Sequence, residues 1–217
     1  MRPLSRVIDP KRIVAEGYDR MAERYLAWSD LKPSPTRLRY LALALELIPP
    51  GSDVLDLGCG AGVPMTAALA EGRAVTGVDI SSTQLEMARR NVPGATFLQA
   101  DMTALTFEPA SFDAVVAFYS LTHVPRHEHA ELLGRIRGWL RPGGLFLASM
   151  GADDEPGDVE RDWLGVDMYF SYFGAKANRR LIERAGLVVE RSELAVEPED
   201  RHDARFLWVV ARAPSDG

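Results

Sequence analysis

The sequence predicts a doubly wound α/β fold: a mainly parallel, seven-stranded sheet flanked by helices and finished by an antiparallel C-terminal strand pair. Two observations carry this prediction. Between residues 53 and 149 short apolar strands alternate with helical stretches, and parallel neighbours need such crossover connections. After Gly186 two more strands follow with only Glu197–Ala204 between them, too short for a helix, so they must pair antiparallel. At 217 residues and 47% apolar content, the chain can bury one substantial core.

Element by element, residues 11–29 place Val14, Tyr18, Met21, Tyr25 and Trp28 at helical spacing. Lys32-Pro33-Ser34-Pro35 breaks the chain before a second helix at about 36–48, closed by Pro49-Pro50-Gly51. The candidate parallel strands are Asp53–Leu57, Ala74–Val78, Thr96–Gln99, Phe112–Phe118 and Leu145–Ser149, separated by helices near 63–71, 82–91 and 127–140. A helix at 174–185 ends at Gly186, and the last two strands run over about 187–196 and 205–212. Residues 151–173 read as one irregular insert, acidic first and then aromatic. The expected organisation is a single 1–217 domain: a helical N-terminal lid (1–50), a binding core (51–150), a cap insert (151–173) and the terminal helix and strand pair (174–217).

Composition excludes several classes. With 25 basic against 31 acidic side chains the net charge is −6, which opposes duplex nucleic acid, since that requires a basic face to release counterions. The single Cys59 forms no internal disulfide and fits a reducing cytosol, so a cytoplasmic location is expected. No apolar run reaches membrane-spanning length, and the basic MRPLSRVIDPKR start lacks the apolar stretch of a signal peptide. His123, His127 and His129 cluster without a Cys or carboxylate at metal-ligand spacing, so no metal is expected. The partner class that remains is a small molecule, for a monomer or homodimer.

The chemistry is concentrated after the strands. Val54-Leu55-Asp56-Leu57-Gly58-Cys59-Gly60-Ala61-Gly62 is a buried strand running into alternating glycines and a helix, where backbone approaches a ligand closely and N–H groups are unpaired. Asp79 ends the second strand about 20 residues on, the arrangement that accepts hydrogen bonds from ribose hydroxyls. Asp101 and Met102 follow the third strand, and Phe118, Tyr119 and His123 follow the fourth. Ligands of such sheets bind beyond the carboxyl ends of the strands, where these side chains gather. A dinucleotide fingerprint reads G-x-G-x-x-G and serves a pyrophosphate; here the glycines read G-C-G-A-G behind Asp56, whose carboxylate repels a diphosphate and suits a cationic amino-acid end.

These segments resemble the class I S-adenosylmethionine-dependent methyltransferases of the small-molecule branch: LDLGCGAG at 55–62, GVDIS at 77–81, QADM at 99–102, FDAVVAFYSLTHV at 112–124, LRPGGLF at 140–146, and the lid-like YDRMAERY at 18–25. The resemblance implies a Rossmann-like fold with S-adenosylmethionine as cofactor and S-adenosylhomocysteine as product. It implies that Asp56 and the backbone of Gly58, Cys59, Gly60 and Gly62 hold the methionine part. Asp79 then holds the ribose, with Ile80 on the adenine; Asp101 accepts from the adenine amino group, with Met102 over the ring. Phe118 lies beside the methionine end and Tyr18 closes over it. The Pro-Pro-Tyr/Phe motif of relatives acting on amines of DNA is replaced by Phe118-Tyr119-Ser120.

The implied reaction is methyl transfer to an oxygen or nitrogen, less readily carbon, of a specialised metabolite or xenobiotic. His123 is the candidate base, although a histidine there can equally be a packed residue hydrogen-bonded to backbone. Tyr119, Trp163, Tyr169 and Tyr172 are candidate acceptor contacts; a small core beneath the insert is the alternative for its aromatic residues. Asp79 can also be read as a helix cap, Tyr18 and Tyr25 as core, and Cys59 as a small buried filler. His127 and His129 are expected to be solvated, as are the acidic residues at 153–160. The rivals are a nicotinamide-dependent oxidoreductase, opposed by the glycine spacing, Asp56 and the terminal strand pair, and a non-catalytic S-adenosylmethionine-binding protein.

Overall fold

A computed structural model describes residues 9–32, 34–198 and 203–215. The first eight residues of the basic N-terminus, Pro33 of the expected break and residues 199–202 of the terminal connection lie outside the described residues.

Helices α1 (Pro10–Leu31) and α2 (Pro35–Leu47) each begin with proline behind a capping side chain. Asp9 accepts from Lys11 N–H at 3.1 Å and Ser34 from Arg37 N–H at 2.9 Å, satisfying donors that a helix start leaves unpaired. The alternating region then gives β1 (Asp53–Leu57), α3 (Met65–Ala70), β2 (Ala74–Asp79), α4 (Ser82–Asn91), β3 (Thr96–Gln99), β4 (Phe112–Ala117), α5 (His129–Trp139) and β5 (Leu140–Gly151). The insert is β6 (Glu155–Trp163) and β7 (Val166–Tyr172), and the chain closes with α6 (Ala175–Arg184), β8 (Val188–Pro198) and β9 (Asp203–Arg212).

Seven strands form one sheet in the order β3-β2-β1-β4-β5-β9-β8; β9 runs antiparallel to both β5 and β8, and the other neighbouring pairs are parallel. β1 and β4 are buried on both faces, which is why their sequences read as continuous apolar runs. On one face Tyr40 and Ala44 of α2, Ile48 just past its end and Leu69 of α3 pack on Val54, Val116 and Trp208. On the other, Leu132, Leu133 and Ile136 of α5 and Ile182 of α6 pack on Val115, Phe146 and Val209. Among the described residues no helix is long and apolar enough to cross a membrane.

Two expectations are corrected. The insert is not irregular: β6 and β7 form a separate antiparallel hairpin, with register shifts at Glu155/Asp158 and Glu160/Trp163. Its first strand is largely exposed and polar, so it shows no alternation and is held by pairing with β7. Nor is all of 1–50 a lid. α2 belongs to the layer covering the sheet, and α1 alone roofs the carboxyl ends of the strands, where it meets the hairpin in a second cluster of Val14, Met21, Trp163, Leu164, Val166 and Met168. Gly17 makes this contact possible, because a β-carbon there would stand 2.8 Å from Met168 Cε.

Polar contacts hold α1 to the sheet. Asp19 accepts from Ser81 Oγ at 2.6 Å and from Thr83 N–H at 3.0 Å at the start of α4, and Arg24 donates to the Leu164 carbonyl. Ser81 is also the N-cap of α4, accepting from Gln84 N–H at 3.1 Å. Ser81→Ala is therefore expected to lower stability by about 1–2 kcal/mol, read as a reduced urea midpoint at unchanged slope.

Candidate functional site

The glycine loop follows β1 with Gly58, Gly60 and Gly62 all at positive φ. At Gly58 the reason is close approach as well as conformation, since a β-carbon would lie 2.2 Å from Ser120 Cβ. Gly62 serves packing: a β-carbon there would lie 3.1 Å from Val92 Cγ2, and its role is the approach of the loop to α4. Asp79 is not the helix cap. Its Oδ2 accepts from Gly60 N–H and its Oδ1 from Ser81 N–H, each at 2.9 Å, so it ties the loop to the end of β2. Burial raises its pKa, against the lowering effect of those two N–H groups.

Beside Asp79 opens a cleft of about 730 Å³, counting its solvent-open part. Ile80 and Met102 line it as expected, and Gly58, Gly60, Phe118 and Tyr119 form its inner end. Asp101 also faces it, but its carboxylate is already engaged. It lies 2.7 Å from Lys11 Nζ and accepts from Thr103 N–H at 2.9 Å and Thr103 Oγ1 at 3.0 Å. Burial pulls the Asp101 pKa up, and the hydrogen bonds from Lys11 and Thr103 outweigh it, leaving a net lowering. Lys11 reaches Glu128 too, at 2.6 Å, and so closes α1 over this end of the cleft. Sequence reasoning missed Lys11.

The inner end continues into a loop pocket lined by Asp56, Gly58, Cys59, Gly60 and Arg37. Asp56 is buried and accepts from Thr66 Oγ1 at 2.6 Å; desolvation, then the charge of Asp79, pushes its pKa up to about 7 against the Thr66 hydrogen bond. Burial likewise pushes the Cys59 thiol up, which fits a filler rather than a nucleophile. Arg37, also missed, lines this space, and its buried Nε has no hydrogen-bond partner.

A third cavity adjoins both. Tyr25 and Tyr119 border all three spaces, while Trp28, Trp163, Phe170 and Phe206 give this chamber aromatic walls. Trp163 thus does two things: it lines the chamber and is 4% exposed in the cluster under α1. Tyr119 holds φ at 58° and donates its hydroxyl to Glu197, which accepts Trp208 Nε1–H at 3.1 Å. Tyr169 does not face the chamber with its ring as expected. Its carbonyl is taken by His123 Nδ1 and its hydroxyl lies against Gly157, while Phe170, pointing the other way along the strand, takes the wall position. Tyr172 lines an outer groove that meets the chamber at Thr122, Trp163, Phe170 and Phe206.

His123 borders cleft and chamber and is hydrogen-bonded at both nitrogens. Nδ1 lies 2.8 Å from the Tyr169 carbonyl, which only accepts, so Nδ1 carries the proton; Nε2 then accepts from the Tyr18 hydroxyl at 2.9 Å. Burial, partly opposed by the Tyr169 carbonyl, pushes its pKa down to about 4. His129, expected at the surface, is 2% exposed, because α5 begins there with its Nε2 3.0 Å from the Val124 carbonyl. His127 is exposed as expected. Among the described residues no group of three or more His, Cys, Asp and Glu could hold a metal ion.

Residues 54–144 match the family model described as a methyltransferase domain. A trans-aconitate 2-methyltransferase of Paracidovorax citrulli is 37% identical over 118 residues, 53% of this chain and 45% of that protein. A 27-O-demethylrifamycin SV methyltransferase of Amycolatopsis mediterranei is 32% identical over 171 residues, 69% of this chain and 62% of that protein. The chain spans about half the length of most of the curated relatives it matches. In fold, it is similar to the solved 1,6-didemethyltoxoflavin-N1-methyltransferase of Burkholderia thailandensis, with TM-score 0.71, 21% identity, and 98% and 93% of the two chains covered. Sheet order, glycine loop and the carboxylate after β2 agree with these matches: residues 54–144 carry a methyltransferase domain, and the chain is similar to methyltransferases in sequence and to S-adenosylmethionine-dependent methyltransferases in fold.

Proposed function

We propose that the protein transfers a methyl group from S-adenosylmethionine to an oxygen or nitrogen of a small molecule, a specialised metabolite or xenobiotic, within a single domain. The carrying observation is that the aromatic chamber meets the cleft and the loop pocket at Tyr25 and Tyr119, so an acceptor in the chamber faces the inner end of the cofactor site. Relatives named for trans-aconitate and 27-O-demethylrifamycin SV support a small-molecule acceptor.

The residues present fit this cofactor. Its methionine end is a zwitterion, and the loop pocket offers it the Asp56 carboxylate for the ammonium and the unpartnered Nε of Arg37 for the carboxylate. Its ribose hydroxyls match the half-buried Asp79 and its adenine the apolar Ile80 and Met102, with Asp101 at the same end. Bound there, the cofactor supplies a methyl group on a positively charged sulfur. Tyr25 and Tyr119 bound the point where acceptor and methyl group meet. Trp28, Trp163 and Phe170 keep water from it, which favours alignment of the reacting atoms. The proton that the nucleophilic atom loses passes to the Tyr18 oxygen as the Tyr18 hydroxyl proton moves to His123 Nε2.

Titration calorimetry with S-adenosylmethionine, S-adenosylhomocysteine and NADH tests the cofactor: the first two are expected to bind and the third is not. Release of S-adenosylhomocysteine on adding a metabolite extract separates an enzyme from a cofactor-binding protein. The affinity also carries a pH signature. Asp56 must be ionised to hold the ammonium, so binding of S-adenosylhomocysteine is expected to strengthen as pH rises through about 7. The ligand-free protein behaves oppositely. Between the unfolded value of 3.8 and about 7, only the folded state keeps this proton, so stability falls as pH rises across that window. Asp56→Asn is expected to flatten both dependences; a binding profile unchanged by that variant would remove Asp56 from the ammonium site.

A further inference from the structure

Gln84 stands in the first turn of α4, 1% exposed, with its backbone N–H on the Ser81 cap. Its side chain lines both the cleft and the loop pocket. Both ends of its amide, Oε1 and Nε2, are buried without a hydrogen-bond partner. The carboxamide stands next to Gly60, where a β-carbon would lie 3.8 Å from Oε1; the same Gly60 gives its N–H to Asp79. Buried amides are almost always bonded, because each group left unmade costs about 1–3 kcal/mol. Methionine would occupy the same volume without that cost. Nothing in the α4 fold needs the amide, since the backbone N–H of Gln84 makes the cap.

We propose that Gln84 is a cofactor-binding residue whose amide completes the recognition of the ribose hydroxyls begun by Asp79. The inference rests on the reading that the cleft holds S-adenosylmethionine. Asp79 as a carboxylate only accepts, so it takes hydroxyl hydrogens and leaves the hydroxyl oxygens without donors. A primary amide supplies N–H donors to those oxygens and keeps a carbonyl as a further acceptor. Asp79 and Gln84 together thus match a vicinal diol, which both donates and accepts, and the pair distinguishes a ribonucleoside from a deoxynucleoside. Against a merely apolar wall, the prediction reverses in sign: removing the amide relieves the empty protein and weakens the loaded one.

The test uses the full chain carrying Gln84→Met, with two readouts. The melting midpoint of the ligand-free variant is expected to equal or exceed that of the parent. Its calorimetric affinity for S-adenosylhomocysteine is expected to fall about 10-fold, the loss of one to two hydrogen bonds to a polar ligand. With the 2′,3′-dideoxy analogue of S-adenosylhomocysteine the difference between parent and variant is expected to shrink to within about twofold. Affinity for S-adenosylhomocysteine unchanged by the substitution overturns the proposal. So does a midpoint several degrees lower, which would make the amide a structural group bonded within the folded chain. A full 10-fold difference persisting with the dideoxy analogue overturns the assignment to the hydroxyls. A parent protein that binds no S-adenosylhomocysteine at all overturns the cofactor reading itself, and is told apart by the parent titration alone.

Discussion

Alanine in place of His123 is expected to lower methyl-transfer turnover about 100-fold while leaving affinity for S-adenosylhomocysteine within about twofold. The Tyr18 hydroxyl donates to His123 Nε2, whose lone pair is available because the other ring nitrogen is committed to the Tyr169 carbonyl. The buried imidazole, held to about 4, is uncharged over the working pH range, so its Nε2 stays an acceptor for the Tyr18 hydroxyl. Its contribution to the rate is therefore expected to stay level from about pH 5 to 8 and to fall only as pH drops toward 4. Tyr18→Phe keeps the ring and removes the hydroxyl, and a turnover loss of about 10-fold is expected with the fold undisturbed. Full turnover in His123→Ala would remove His123 from the mechanism. A rate limb near pH 6.5 that vanishes in this variant would show that the imidazole titrates as an exposed one does.

Asp79→Ala is expected to weaken S-adenosylhomocysteine binding by about 1.5–3 kcal/mol, or about 10- to 150-fold. Two effects act together. The ribose loses a charged acceptor, and the N–H groups of Gly60 and Ser81 lose the carboxylate that holds the glycine loop against β2. Asp79→Asn separates them, since an amide oxygen still accepts from one N–H while the charge is gone. Intermediate affinity in Asp79→Asn is the expected result. Unchanged affinity in Asp79→Ala would sink the ribose assignment.

Much of the frame was legible in the residues. The strands at 53–57 and 112–117 are short apolar runs bounded by turn residues, and burial on both faces makes such runs unambiguous. The antiparallel end of the sheet followed from chain length alone, because a dozen residues are needed for a parallel return. The hairpin at 155–172 was not legible, since Glu155–Trp163 is polar, bulged and mostly exposed and carries no periodicity of its own. Nor was the burial of His129, which depends on where α5 starts rather than on its neighbours in sequence.

By itself the sequence determined the parts of the site that local backbone chemistry dictates: a strand, a loop needing positive φ at Gly58, Gly60 and Gly62, and carboxylates at the strand ends. Only the tertiary structure decided which side chains meet. Tyr18 finds His123 across 105 positions, Lys11 finds Glu128 across 117, and Tyr119 finds Glu197 across 78. Those pairings come from α1 crossing the strand ends and from β9 and β8 completing the edge of the sheet, and no local pattern encodes a contact made at such separation. The same closure buries Asp56 and His123 and so moves their proton affinities in opposite directions, because desolvation disfavours whichever form is charged.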